Sequence, residues 1–330
     1  MPNTKPMSGA SVGSSGSADE AVGVGGGGHA DARAAAPCED AVVKPWTTSL
    51  TTPMKLLVTG GAGAIGRALA IRGRVRSADV VALDRAALDI GDAAAVAAKL
   101  RSIAPAAVIN AAGYTLVDRA EQERDAAFAA NATGAGVLAR ACADAGVPLV
   151  HISTDYVFDG AATRPYCEED PVAPISVYGE SKAEGERRVL AAGGCTVRTS
   201  WVFARGANAF VQKIIARLAA PGPLSVFADR HGCPTWGDDV ADALLDLAER
   251  GAPAGVWHYA GDGATTWHGL ACAIAGELGE DPARIAPSAG FDPPGAARRP
   301  PYSVLDTAKL RAIGILPRPW RVGLAELLAR

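Results

Sequence analysis

From residue 54 onward the apolar positions fall into two alternating kinds of stretch. Short unbroken runs at Lys55–Thr59, Asp79–Leu83, Ala107–Asn110, 147–152 and 195–198 read as strands buried on both faces. Between them lie longer stretches, at 67–74, Ala93–Ile103, 118–145 and 176–192, with the apolar spacing of helices. Strand and helix in alternation predict an α/β fold, a doubly wound parallel sheet with helices on both faces. Beyond residue 203 the pattern breaks into shorter pieces: helix at 210–218, strand at Leu224–Phe227, helix at 237–250, then fragments at 256–259, 267–278 and from 285 on. The division read from this is a first domain over 54–203 and a smaller lobe over 204–330. The 237–250 helix is expected to pack back on the first domain.

Residues 1–53 are a different material. They are rich in Gly, Ser and Ala, include Gly25-Gly26-Gly27-Gly28, and show no sustained period. Such a segment buries too little apolar surface to offset its ordering entropy, which predicts disorder. It lacks the apolar core of a signal peptide. Met54 stands directly before the first strand, and the folded protein is expected to begin there. With 49% hydrophobic and 20% charged residues and a net charge of −3, the chain has an ordinary globular composition. Its scattered arginines form no basic stripe for nucleic acid, and no apolar run is long enough for a membrane span. A cytoplasmic protein, monomer or homodimer, is expected. The six cysteines show no Cys-x-x-Cys spacing and the five histidines are dispersed, which predicts reduced thiols and no zinc.

The first strand runs straight into Gly60-Gly61-Ala62-Gly63-Ala64-Ile65-Gly66, and helix follows. Glycines at 60, 63 and 66 let the backbone approach a pyrophosphate, and the helix start supplies free N–H groups and positive potential. The second strand ends in Asp84, at the distance expected of an acid that binds the adenosine ribose of NADH. Its neighbour Arg85 suits the 2′-phosphate of NADPH instead, so the two signals conflict and dual use is the reading. Asp89 and Ile90, and Ala111, Ala112, Gly113 and Thr115 past the third strand, are placed on the same cofactor crevice.

The fourth strand delivers Thr154, and after a proline-punctuated loop a helix begins near Ser176. Tyr178 and Lys182 lie four apart and share a face of that helix. A phenol ordinarily titrates near 10. An adjacent ammonium and the positive end of a helix both favour the phenolate, so the pair reads as a tuned proton donor. Tyr-x-x-x-Lys alone is weak, and the upstream glycine loop gives it weight. Trp201, at the end of the fifth strand, is either a core residue or a wall for a ring-like substrate. Arg298 and Arg299 form either a diphosphate clamp or a solvated pair.

From Met54 on, the chain resembles the dTDP-4-dehydrorhamnose reductase family of extended short-chain dehydrogenases. The resemblance rests on Asn110-Ala111-Ala112-Gly113-Tyr114-Thr115-Leu116-Val117-Asp118 with Glu121, Ser153-Thr154-Asp155-Tyr156-Val157-Phe158-Asp159-Gly160, and Val177-Tyr178-Gly179-Glu180-Ser181-Lys182. It rests also on Arg198-Thr199-Ser200-Trp201-Val202, Gly232 with Pro234-Thr235, and Ala297-Arg298-Arg299-Pro300 with Ser303 and Leu305. It implies a Rossmann-type fold, a catalytic trio of Thr154, Tyr178 and Lys182, the last two also touching the cofactor, and Asp155, Tyr156 and Trp201 around the sugar. It sets Arg298 or Arg299 near the nucleotide end. Three positions depart from the family: Ala64 and Arg230 stand where Gln is usual, and Ser176 where Asn is. Some members dimerise through Mg²⁺ held by glutamates, but residues 219–223 here contain no acid, so the metal is not carried over.

The reaction so implied is reduction of the C4 ketone of dTDP-4-dehydro-L-rhamnose by NADPH or NADH. Tyr178 gives the proton, Thr154 bonds the developing charge, and Lys182 binds the nicotinamide ribose and lowers the Tyr178 pKa. Two other readings stand beside it. One is a sugar-nucleotide epimerase or dehydratase that recycles its cofactor; the other is a non-catalytic regulatory subunit of methionine adenosyltransferase type.

Overall fold

In the computed structural model, six strands form one sheet: β1 (Lys55–Thr59), β2 (Asp79–Leu83), β3 (Ala107–Asn110), β4 (Leu149–Thr154), β5 (Cys195–Thr199) and β6 (Gly255–His258). Their order is β6-β5-β4-β3-β1-β2, and every pairing is parallel. Residues 53–206, 209–290 and 295–329 are described. The disorder expected of residues 1–53 therefore lies, except for the last of them, outside the described residues.

The sheet is covered by α1 (Ala64–Val75), α2 (Ala93–Ile103), α3 (Ala135–Asp144), α4 (Val177–Ala191) and, past α5 (Ala209–Ala219), by α6 (Gly237–Glu249), whereas α5 and α7 (Trp267–Glu277) pack apart from it. Side chains alternate across β1, so Leu56 and Val58 enter one core with Leu69 of α1 and Leu244 of α6. Leu57 enters the other, with Leu100 of α2, Leu138 of α3 and Val189 of α4. A further core joins α5, α7, the parallel pair Leu224–Phe227 and Ile285–Ser288, and the helix Trp320–Leu328. None of the helices among the described residues is long and apolar enough to cross a membrane.

Two elements differ from the sequence reading. The strand at β6 falls in the stretch assigned to the smaller lobe, yet it is the edge of the main sheet, with Gly255 to His258 in register on Cys195 to Arg198. Trp257 and Tyr259 then share a core with α6. The helix expected over 118–145 is broken into Val117–Ala120, Arg124–Phe128, a π-helical segment Ala129–Gly134, and α3. Asn131 accounts for the wide turn. Its Nδ2 donates to Tyr114 O at 3.0 Å and Ser181 Oγ at 2.9 Å, and its Oδ1 accepts from Tyr114 N–H at 2.7 Å. A π-turn re-aims one side chain out of the helical ladder, and here that side chain ties α4 to the loop after β3.

Candidate active site

β1 pairs with both β2 and β3, so the strand order reverses there and a crevice opens beyond the carboxyl ends of the strands. Its phosphate side is built from backbone. Gly60 has φ +72°, and a Cβ on it would lie 2.5 Å from Ala111 O; one on Gly66 would lie 2.2 Å from Gly60 O. Both glycines are therefore spacers behind the crevice, while Gly63, Ala64 and Ile65 line it. Gly63 is the N-cap of α1 and offers no side-chain cap, and the first turn holds no acidic residue. The free N–H groups and positive potential of that helix end meet a wall with room for a phosphate. The chain thus fits the dinucleotide its sequence implies.

The crevice measures about 430 Å³. It gathers Ala111, Ala112, Gly113 and Thr115 after β3, Thr154, Asp155 and Tyr156 after β4, Tyr178 and Lys182 from α4, and Trp201. Ser153 and Thr199 also line it, and their buried hydroxyls have no hydrogen-bond partner among the described residues. A larger groove of about 760 Å³ lies on the outside of α2, α3 and α4; it contains none of the residues singled out by the sequence.

The start of α4 is fixed by Ser176, whose Oγ accepts from Gly179 N–H at 3.2 Å, so serine performs the capping role here. Gly179 packs on Tyr156 O, which a Cβ would approach to 2.2 Å. That contact brings Tyr178 edge-on to Tyr156, with ring centroids 6.0 Å apart. Burial pushes the Tyr178 phenol up to about 12, with a Thr154 hydrogen bond drawing it partly back. The sequence expectation of a phenol acidified by lysine is overturned. Lys182 Nζ instead donates to Ile152 O at 2.5 Å and stands 3.4 Å from His151 Nε2. Burial brings Lys182 down to about 8, against the pull of Glu186.

Asp155 is buried, and its carboxylate is spent on the protein itself: Oδ1 accepts from Thr154 Oγ1 at 3.1 Å, Oδ2 from Ser200 Oγ at 3.1 Å and Ser303 Oγ at 2.5 Å. Burial raises it to about 6. Asp155, expected beside the sugar, lines the crevice and also ties together β4, the loop after β5 and the segment near residue 303. Trp201 answers both of its alternatives at once. It stacks on Trp267 at 3.8 Å and lines the crevice.

The remaining residues lie elsewhere. Asp84 and Arg85 are exposed at the end of β2; Asp84 Oδ1 accepts from Ala87 N–H at 2.9 Å, and Arg85 pairs with Asp89 at 3.7 Å. Ile90 follows Asp89 and turns inward. Its side chain is buried in the α2–α3 core, where Gly134 leaves room for it. Arg298 and Arg299 line a neighbouring hollow of about 320 Å³ with Asp159 and Arg230, and Arg299 bonds Asp118 at 2.9 Å. Asn131, His151, Ser200, Ser303 and Trp267 are the participants that sequence reasoning did not single out. Ser200 and Ser303 stood in recognisable blocks, but their shared partner is 45 and 148 residues away.

A doubly wound sheet, a glycine cradle at its switch point and a Tyr–Lys pair facing one crevice define a dinucleotide-dependent oxidoreductase of the short-chain dehydrogenase type. The family model described as RmlD substrate binding domain matches residues 54–330, and the chain belongs to that family. It is 44% identical over 278 residues to the dTDP-4-dehydrorhamnose reductase of Streptomyces griseus, covering 82% of this chain and 91% of the relative. It is 40% identical over 277 residues to a probable dTDP-4,6-dihydroxy-2-methyloxan-3-one 4-ketoreductase of Streptomyces antibioticus, covering 83% and 94%. The solved structure of dTDP-4-dehydrorhamnose reductase from Bacillus anthracis in complex with NADP superposes with a TM-score of 0.79 at 33% identity, covering 84% of this chain and 99% of that one.

Proposed function

We propose that this protein reduces the C4 ketone of dTDP-4-dehydro-L-rhamnose to dTDP-L-rhamnose, using NADPH or NADH. The observation that carries the reading is the meeting of Thr154, Tyr178 and Lys182 with the uncapped start of α1 in one crevice. The Gly63 N–H is given to Gly60 O at 2.9 Å, so the N–H groups of Ala64 and Ile65 at the start of α1 would hold the pyrophosphate of the dinucleotide, which when bound supplies the hydride. Tyr178 is the proton donor. A phenol titrating at about 12 keeps its proton at neutral pH and releases it only as negative charge grows on the carbonyl oxygen. Thr154 holds the phenol in place, with Asp155 orienting its hydroxyl. Lys182 serves the nicotinamide ribose, Tyr156 and Trp201 shape the sugar site, and Arg298 and Arg299 face the diphosphate. Arg85 and Asp84 permit either cofactor. The protein works in the cytoplasm as a monomer or homodimer.

The test is to mix purified protein with NADPH or NADH and dTDP-4-dehydro-L-rhamnose made in situ, following nicotinamide absorbance and the sugar product. Net dinucleotide oxidation with dTDP-L-rhamnose formed is expected. Turnover without net oxidation would mean an epimerase or dehydratase. No turnover, with a synthetase recovered as partner, would mean a regulatory subunit.

A further inference from the structure

Beneath the crevice a run of buried polar side chains leads to the lysine. Asn110 on β3 and His151 on β4 have no exposed surface, and Lys182 has little. The far end of the run fixes the direction of every bond in it. The backbone N–H of Ala112 can only donate, and it reaches Asn110 Oδ1 at 3.1 Å, where Thr59 Oγ1 also donates at 2.7 Å. Asn110 Nδ2 therefore faces His151 Nδ1, 2.9 Å away, and donates to it. A ring nitrogen that accepts carries no proton, so the neutral imidazole bears its hydrogen on Nε2. That nitrogen stands 3.4 Å from Lys182 Nζ. An ammonium has no lone pair to receive the hydrogen, whereas an amine has one.

We propose that His151 is a positioning residue for Lys182, whose Nε2–H favours the amine over the ammonium and so sets the pH at which the lysine changes charge. This deepens the functional reading above and rests on it. The Ile152 carbonyl accepts from either form of the lysine. Among the charged and titratable neighbours, Glu186 one turn along α4 favours the ammonium, but its carboxylate is held by Arg198 of β5 at 2.8 Å. Tyr178 lies one turn earlier, and Asp155 on the strand side acts on that phenol. From the π-turn packed on the same helix, Asn131 offers only a neutral amide, to Ser181. Burial and the lysine together hold His151 far below its ordinary range, so the ring stays neutral and its tautomer persists.

The decisive measurement needs neither substrate nor cofactor. In unliganded protein with labelled histidine, ¹⁵N spectra are expected to show His151 protonated on Nε2 and bare on Nδ1; the opposite tautomer overturns the proposal even if no variant folds. The Lys182 titration, followed by NMR, is expected near pH 8. It should move up by about half a unit or more in His151→Phe, which fills similar space without an N–H. Asn110→Asp should move it the same way, because a carboxylate only accepts, so the ring's one hydrogen shifts from Nε2 to Nδ1 to meet it and Nε2 becomes an acceptor. The basic limb of kcat/KM follows these shifts if Lys182 acts as proposed. A lower melting temperature with an unmoved lysine titration would reduce His151 to packing. A titration that shifts while the kinetic limb stays put would instead count against the role given to Lys182.

Discussion

Tyr178 enters the crevice as a weak acid. The lysine four residues on was expected to acidify it, but the lysine turns to the Ile152 carbonyl, and burial dominates the phenol. A proton held this firmly leaves only to an oxygen that is gaining charge, which suits a donor. General acids contribute about 10²- to 10⁴-fold, so Tyr178→Phe is expected to lower kcat at least about a hundredfold. Affinity for the dinucleotide, measured by titration, should change little, since Phe keeps the ring against Tyr156. A variant within about threefold of wild type would remove Tyr178 from the chemistry. The residue types and their i, i+4 spacing were legible in the sequence. The sign of the pKa shift was not, because it depends on what buries the ring.

The glycine loop and α1 show how much one element carries locally. Glycine in a helix ordinarily costs about 0.5–1 kcal/mol relative to alanine. At Gly276 in α7 a Cβ meets open space, so Gly276→Ala should stabilise the protein by about that amount. At Gly66 the same methyl meets the Gly60 carbonyl, and the loop must shift. Gly66→Ala is expected to destabilise by about 1–3 kcal/mol and to weaken dinucleotide binding, read from denaturant midpoints and titration. Equal effects at the two sites would show that the cradle is not under steric control. This loop could be read from sequence because strand, turn and helix start are contiguous. The break at Asn131 could not, because its cause is a bond to Ser181, 50 residues on.

At the scale of the whole molecule, the carboxyl-terminal segment is joined to the main sheet by buried polar groups. Arg198 of β5 pairs with Glu186 and donates to His258 Nε2 at 3.3 Å. His258 Nδ1–H is shared by the carbonyls of Tyr166 and Asp306, and its backbone N–H donates to Glu168 Oε1 at 2.9 Å. Burial raises Glu168 from 4.5 to about 7. Between those values the folded protein keeps a proton that the unfolded chain has released. Its contribution is therefore full below about pH 4.5 and is lost as pH rises through about 7. Glu168→Gln keeps the bond from His258 and cannot ionise. Its stability relative to wild type should rise by on the order of 1–3 kcal/mol between about pH 5 and pH 8, as measured by denaturant melts. A difference independent of pH would mean that the carboxyl is ionised throughout.

The sequence by itself determined the strand–helix alternation, the glycine cradle at the end of β1 and the common face of Tyr178 and Lys182, because each is set by neighbours within a few positions. Tertiary structure alone decided that Gly255–His258 completes the main sheet and that Asp155 serves Ser200 and Ser303 rather than standing free. It also turned the lysine toward His151 and kept the phenol's proton in place. These outcomes depend on burial and on partners far along the chain, and neither is encoded in local spacing.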